Sequence, residues 1–247
     1  MAVRVQGRVA VVTGGTRGLG FAIAREFLQE GMSVVCASRG EGDFKLLDDE
    51  YPGRVHYRQT DVTSPDSVAA LMRSAVDLFG GLDVVVANAG VNRDGKVERL
   101  APEDWDAMVG TNLTGVYLCT HAAVPHLRER GGTIINVSSS MATRVTVGAA
   151  GYCATKAAVE MFTKVTAIEL GRYGIRVNAL APGILSEGMG KELTGNDKVW
   201  EVYRKRFALG RAGEAAEAAR AAVFLASDDA SYVNGDVLEV NGGLLWA

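Results

Sequence analysis

Val9-Ala-Val-Val-Thr13-Gly14-Gly-Thr16-Arg17-Gly18-Leu19-Gly20-Phe21 is the stretch on which the fold turns. Its first residues are nearly all apolar and short, as in a strand covered on both faces. Glycines then cluster, and from Phe21 to about Gln29 the apolar positions Phe21, Ile23, Ala24, Phe27 and Leu28 keep a helical period. A strand, a glycine turn and a helix N-terminus in succession form a cradle for phosphate. The backbone can turn tightly and approach closely, and the free N–H groups and helix dipole face the anion. The spacing is Gly14-x-x-x-Gly18-x-Gly20, not the more general G-x-G-x-x-G.

The same alternation continues outward from this stretch. Strands are predicted at 8–13, 33–38, 54–59, 82–87, 133–138, 175–180 and 236–240. Helices are predicted near 18–30, 43–50, 65–80, 102–128, 150–171 and 214–227. Repeated strand–helix units with strands apolar on both faces imply an α/β fold, a Rossmann-type doubly wound parallel sheet with right-handed crossovers. No linker, repeat or composition break divides the chain, so residues 1–247 are expected to form a single domain. The least regular stretch, Leu185 to Leu209, follows the sixth strand on the ligand-binding side of such sheets, and is expected to be a substrate lid.

Composition narrows the function. A net charge of −3 shows no basic excess for nucleic acid, and no apolar run approaches the ~20 residues of a membrane span. The first strand begins close to Met1, which leaves no room for a signal peptide. Cys36, Cys119 and Cys153 are too few and scattered for a disulfide frame, so a cytoplasmic setting is expected. His56, His121 and His126 lack metal-ligand spacing, and no metal site is expected. Trp105, Trp200 and Trp246 read as packing or interface groups, with Trp200 inside the expected lid.

Tyr152 and Lys156 carry the chemistry. At i and i+4 of a predicted helix they share a face, where a cation beside the phenol would lower its pKa toward the range useful for acid–base catalysis.

Together with Asp61-Val62, Asn88-Ala89-Gly90, Asn112, Ile134-Ile-Asn-Val-Ser-Ser139, Arg176-Val-Asn178, Pro182-Gly183 and Val240-Asn-Gly-Gly243, these motifs make the chain resemble the short-chain dehydrogenase/reductase family over nearly its whole length. The resemblance implies that Tyr152 is the acid–base and that Lys156 lowers its pKa and holds the nicotinamide ribose. It implies that Asn112 braces a water for proton relay. The residues alone leave Ser138, Ser139 and Ser140 open. The family's serine lies thirteen residues before the tyrosine, which selects Ser139.

Cofactor contacts are implied at Gly14, Thr16, Arg17, Gly18, Leu19, Gly20, Ser38, Arg39, Asp61, Val62, Asn88, Ala89, Gly90, Pro182, Gly183, Leu185 and Ser186, besides Tyr152 and Lys156. Ser38 stands where NAD-type members carry aspartate, and Arg17 and Arg39 suit a 2′-phosphate, so NADP(H) is expected. The chain departs from the family five residues past Pro182, where the usual threonine is Glu187 and Ser186 precedes it.

The resemblance is strongest to 3-oxoacyl-[acyl-carrier-protein] reductases and related ketoreductases. It implies NADPH-dependent reduction of a small-molecule or carrier-bound ketone. The alternatives are a sugar, steroid, polyketide or xenobiotic carbonyl, or a non-catalytic NADP(H) sensor or scaffold. Arg128, Arg130 and Arg172 are candidates for docking an acyl carrier protein, weighed evenly against solvated helix ends. A homotetramer is expected. Ala157, Ala158, Val159, Phe162, Val165 and Ile168 give the catalytic helix a wide apolar surface, and the segment from Val237 to Trp246 is too apolar for a free tail.

Overall fold

Along β1 (Val9–Thr13) successive side chains enter two different cores. Ala10 and Val12 join a cluster with Ile23, Phe27 and Leu28 on one side of the sheet. Val9 and Val11 join a second cluster with Leu71, Met72, Val159 and Leu127 on the other. The strand is apolar throughout because both of its faces are covered. This arrangement comes from a computed structural model describing residues 5–245, with the side chain of Glu192 excepted.

Seven strands form one sheet in the order β3-β2-β1-β4-β5-β6-β7, and every neighbouring pair is parallel. The others are β2 (Ser33–Ser38), β3 (Val55–Gln59), β4 (Val84–Ala87), β5 (Gly132–Val137), β6 (Ile175–Pro182) and β7 (Val237–Val240). Helices α1 (Gly18–Gln29), α2 (Phe44–Glu50) and α9 (Ala215–Ala226) cover one face, and α3 (Pro65–Phe79), α5 (Gly115–Leu127) and α6 (Ala150–Gly171) cover the other. The strand order reverses between β1 and β4, so the connections leaving these two strands diverge and open a crevice at their C-terminal ends.

The helix predicted over 102–128 is interrupted. α4 (Pro102–Met108) passes through a π-helical turn at Val109–Thr114 before α5 begins. A π turn takes an extra residue into one turn and is often found at functional sites; here it carries the buried Asn112. The stretch after β6 is built from short pieces, α7 (Lys191–Thr194) and α8 (Asp197–Tyr203) with 3₁₀ turns on either side. Trp200 packs there on Phe207, with ring centroids 5.8 Å apart. The end of the described chain stitches onto this segment. Leu245 N–H donates to the Arg206 carbonyl at 2.8 Å, and Ala208 and Leu209 donate to Gly243 and Gly242. Trp246 lies outside the described residues.

Candidate active site

The glycine loop is shaped by what a side chain would strike. Gly14 has φ +65°, a left-handed conformation, and a Cβ there would come 2.7 Å from Asn88 Nδ2. A Cβ at Gly20 would overlap the carbonyl oxygen of Gly14. Thr13 fixes the facing strand end: its Oγ1 accepts from the N–H groups of Asn88 and Ala89 at 3.0 Å, and Asn88 Nδ2 donates to the Thr13 carbonyl at 2.8 Å. The result is a bare backbone cradle at the start of α1, suited to a diphosphate.

From this cradle a cavity of about 1730 Å³ runs along the ends of the strands. One end is lined by Arg17, Ser38, Arg39, Asp61 and Val62. Ser38 Oγ lies 2.9 Å from Thr16 Oγ1 and also donates to the Gly40 carbonyl, so no carboxylate stands at the tip of β2. Asp61 accepts from the Thr63 N–H at 2.9 Å and its hydroxyl at 2.7 Å. These bonds, with a smaller contribution from Arg39, hold its carboxyl below the usual range. Asn88, Ala89 and Gly90 line the middle.

Ser139 and Tyr152 line the other end. Of the three consecutive serines, Ser138 turns away: its hydroxyl reaches the Lys156 carbonyl and Glu160, at 3.2 and 3.0 Å. Ser139 caps the short turn that follows, accepting from Met141 N–H at 3.2 Å, and its hydroxyl also meets that of Tyr152 on the cavity wall. Ser140 also lines the cavity, and its buried hydroxyl has no protein partner.

Lys156 is buried, with Nζ donating to the Val137 carbonyl at 2.7 Å and lying 5.6 Å from the centre of the Tyr152 ring. The expected lowering of the phenol pKa is corrected here. Burial pushes Tyr152 up to about 12, opposed by its hydrogen bond with Ser139, and burial pushes Lys156 down to about 8. Desolvation disfavours the charged form of each and is the largest cause of both shifts.

Neither Asn112 nor Lys156 lines the cavity directly; both sit behind Gly90. A Cβ on Gly90 would lie 3.4 Å from Asn112 Oδ1 and 3.8 Å from Lys156 Nζ, so the two polar groups share one small space. The Asn112 amide is anchored by Val91, accepting from its N–H at 2.8 Å and donating to its carbonyl at 2.9 Å, with Thr155 Oγ1 at 3.2 Å. It ties the Asn88–Gly90 loop to the π turn and to α6.

At the end of β6 and just beyond it, Pro182, Gly183 and Leu185 line the cavity. Ser186, expected as a cofactor contact, turns its hydroxyl to Glu187 and the Gly213 carbonyl, and it is Glu187 that faces the cavity. The mouth is rimmed by exposed apolar side chains, among them Val145, Val147, Met189 and Leu245. Sequence reasoning missed Arg144, which makes a two-pronged ion pair with Glu239 at 2.8 Å and donates to the Leu244 carbonyl. This strut joins the loop after Ser139 to the C-terminal segment. Its partners are nearly a hundred residues apart in the chain, so no local pattern marks them.

Arg128 and Arg172 flank the Tyr173 ring, at 6.0 and 4.7 Å. They lie at the end of α6 opposite Tyr152, and a helix of 22 residues is about 33 Å long. The expected docking patch is therefore remote from the cavity of its own chain. No helix among the described residues is long and apolar enough to cross a membrane.

The profile of a family described as Enoyl-(Acyl carrier protein) reductase matches residues 14–245. A 3-oxoacyl-[acyl-carrier-protein] reductase from Thermotoga maritima is 38% identical over 98% of this chain and 100% of its own. A 3-alpha-(or 20-beta)-hydroxysteroid dehydrogenase from Mycobacterium tuberculosis is 41% identical over 98% of this chain and 91% of its own. Among solved structures, a gluconate 5-dehydrogenase from Burkholderia cenocepacia in complex with NADP and tartrate superposes with a TM-score of 0.91 and 33% identity, covering 98% and 96% of the two chains. With the glycine cradle, the crevice at the strand reversal, Ser139 and Tyr152 on one wall and Lys156 buried behind it, these likenesses have a single reading: the chain belongs to the short-chain dehydrogenase/reductase family and is an oxidoreductase.

Proposed function

We propose that the protein is an NADPH-dependent ketoreductase acting on a 3-oxoacyl thioester or a related ketone with an apolar body. The observation that carries this is the pair of hydroxyls, Ser139 and Tyr152, on one cavity wall within hydrogen-bonding reach of each other. Two O–H donors converging at one place suit a single acceptor oxygen, as a carbonyl presents. The apolar rim at Val145, Val147 and Met189 supports an acyl substrate. Arg17 and Arg39, with no acid at Ser38, support the 2′-phosphate cofactor that the gluconate dehydrogenase binds.

When bound, the reduced nicotinamide supplies a hydride to the carbonyl carbon. Ser139 orients the carbonyl oxygen, and Tyr152, which holds its proton far above neutrality, gives that proton to the developing alkoxide. Lys156, titrating at about 8, is a nearby proton source that stabilises the phenolate and reloads it. In this proposal the relay to solvent passes through a water held between Lys156 and Asn112, which the shared space behind Gly90 supports. The stretch 185–209 is proposed as the lid over the substrate. An acyl carrier protein, if it delivers the substrate, docks near the apolar mouth and not at the Arg128–Arg172 patch of the same chain.

The test is NADPH oxidation with acetoacetyl and crotonyl thioesters of the same carrier group. Turnover of the ketone alone is expected; turnover of the enoyl compound alone would reverse the assignment.

A further inference from the structure

We propose that Glu187 sets which redox form of the nicotinamide the cavity prefers, by holding a fixed negative charge at the hydride-transfer end. The inference rests on the dinucleotide reading above. Hydride must leave from beside the carbon whose oxygen Ser139 and Tyr152 hold, so the nicotinamide lies over the wall made by Pro182, Gly183 and Leu185. The chain leaves that wall directly into Glu187, which also lines the cavity.

The carboxylate is held in place. Ser186 N–H and Gly213 N–H tie this segment to the start of α9, at 2.9 and 3.0 Å. Glu187 Oε2 accepts from the Ala215 N–H at 2.9 Å and from Ser186 Oγ at 3.0 Å. Both donors are neutral and both act on one oxygen. Among the described residues no lysine or arginine forms an ion pair with Glu187, so only the partial charge at the N-terminus of α9 offsets it locally.

The oxidised nicotinamide ring carries a positive charge and the reduced ring carries none. A carboxylate at this end therefore attracts one form and is close to indifferent to the other. At an effective dielectric constant of ~20 and a separation of several ångströms, the difference is on the order of tenfold in relative affinity after screening. The site thus favours the oxidised cofactor, and bound substrate and product are poised further toward alcohol than in the same site with a neutral residue. Repulsion of the cofactor's phosphates, or simple capping of α9, would instead move both redox forms together.

Glu187→Gln keeps an acceptor for the Ala215 N–H and removes the charge; Glu187→Thr removes both and serves if the glutamine variant fails to fold. The measurement is the dissociation constant of NADPH by fluorescence and of NADP⁺ by calorimetry, for wild type and variant, at low and high salt. The ratio of the NADPH to the NADP⁺ constant is expected to fall about tenfold in the variant, and by less at high salt. An unchanged ratio, whether both constants stay or both move, overturns the proposal. If the wild type binds only NADH and NAD⁺, the cofactor assignment fails, and the same ratio read with that pair still decides the role of Glu187.

Discussion

Lys156 carries its amine where water does not reach, with the Val137 carbonyl as its hydrogen-bond partner. Its folded pKa of about 8 lies below the ordinary 10.5, so between these values the unfolded chain binds a proton that the folded chain does not. Stability from this group therefore rises with pH across that window, and the full cost is present below about pH 8. Tyr152 has the opposite sign. Its pKa is raised from 10 to about 12, so its contribution is lost as pH climbs through that interval. In denaturant titrations of the cofactor-free protein, Lys156→Met should be more stable than wild type at pH 7, by up to about 3 kcal/mol, and should converge on it near pH 10. Parallel curves at every pH would refute the burial argument. Tyr152→Phe should cut ketone reduction by roughly 10²–10⁴-fold while NADPH still binds, since only a hydroxyl is lost. Unimpaired turnover would remove Tyr152 as proton donor. The spacing of Tyr152 and Lys156 was legible in the sequence, but the balance between attraction and desolvation was not. That balance depends on Val137 and Gly90, which only the folded sheet brings to the lysine.

At the scale of elements, the π turn does what a regular helix over 102–128 could not. It presents the Asn112 amide to Val91 across the interval between two elements. Asn112→Ala would leave the half-buried N–H and carbonyl of Val91 without their partner, at up to about 1–3 kcal/mol each. A melting temperature lowered by several degrees, together with reduced turnover, is expected. Undiminished stability would show that these bonds are replaceable. The five central strands were readable from their apolar runs because a parallel strand covered on both faces has a distinctive composition; β3 and β7, at the sheet's edges, are only partly buried and were legible from the strand–helix alternation. The π turn was not readable: one extra residue shifts the helical phase only locally, and the apolar positions on either side still fit a helix. Arg144 and Glu239 were hidden for a related reason, since each reads alone as an ordinary surface charge.

For the whole molecule, the unexplained surface is on α6. Met161, Val165 and Ile168 lie on one exposed face, at 60%, 47% and 83% exposure. Beside them Tyr117 of α5 meets Phe162 edge-on, with centroids 6.4 Å apart. A face this apolar is better suited to a second copy than to water. A homotetramer is expected by light scattering, with a dimer as the smaller assembly, and Ile168→Glu should shift the population to lower mass. A wild type that is monomeric at micromolar concentration would refute the assignment.

The glycine loop and the segment after β6 meet where neither has a side chain. A Cβ on Gly18 would come 3.1 Å from Gly188 Cα, and one on Gly188 would come 3.4 Å from Gly18 Cα. Both glycines of this seam line the cavity, whose mouth Val145 and Val147 rim. A long dinucleotide threads beneath such a seam only while the substrate end is free, whereas a ketone entering at the mouth does not disturb a dinucleotide already seated. Expressed as kinetics, the expected outcome is compulsory order, dinucleotide first on and last off, with the oxidised dinucleotide competing against the reduced one at every concentration of ketone; product-inhibition patterns without that competition would refute it.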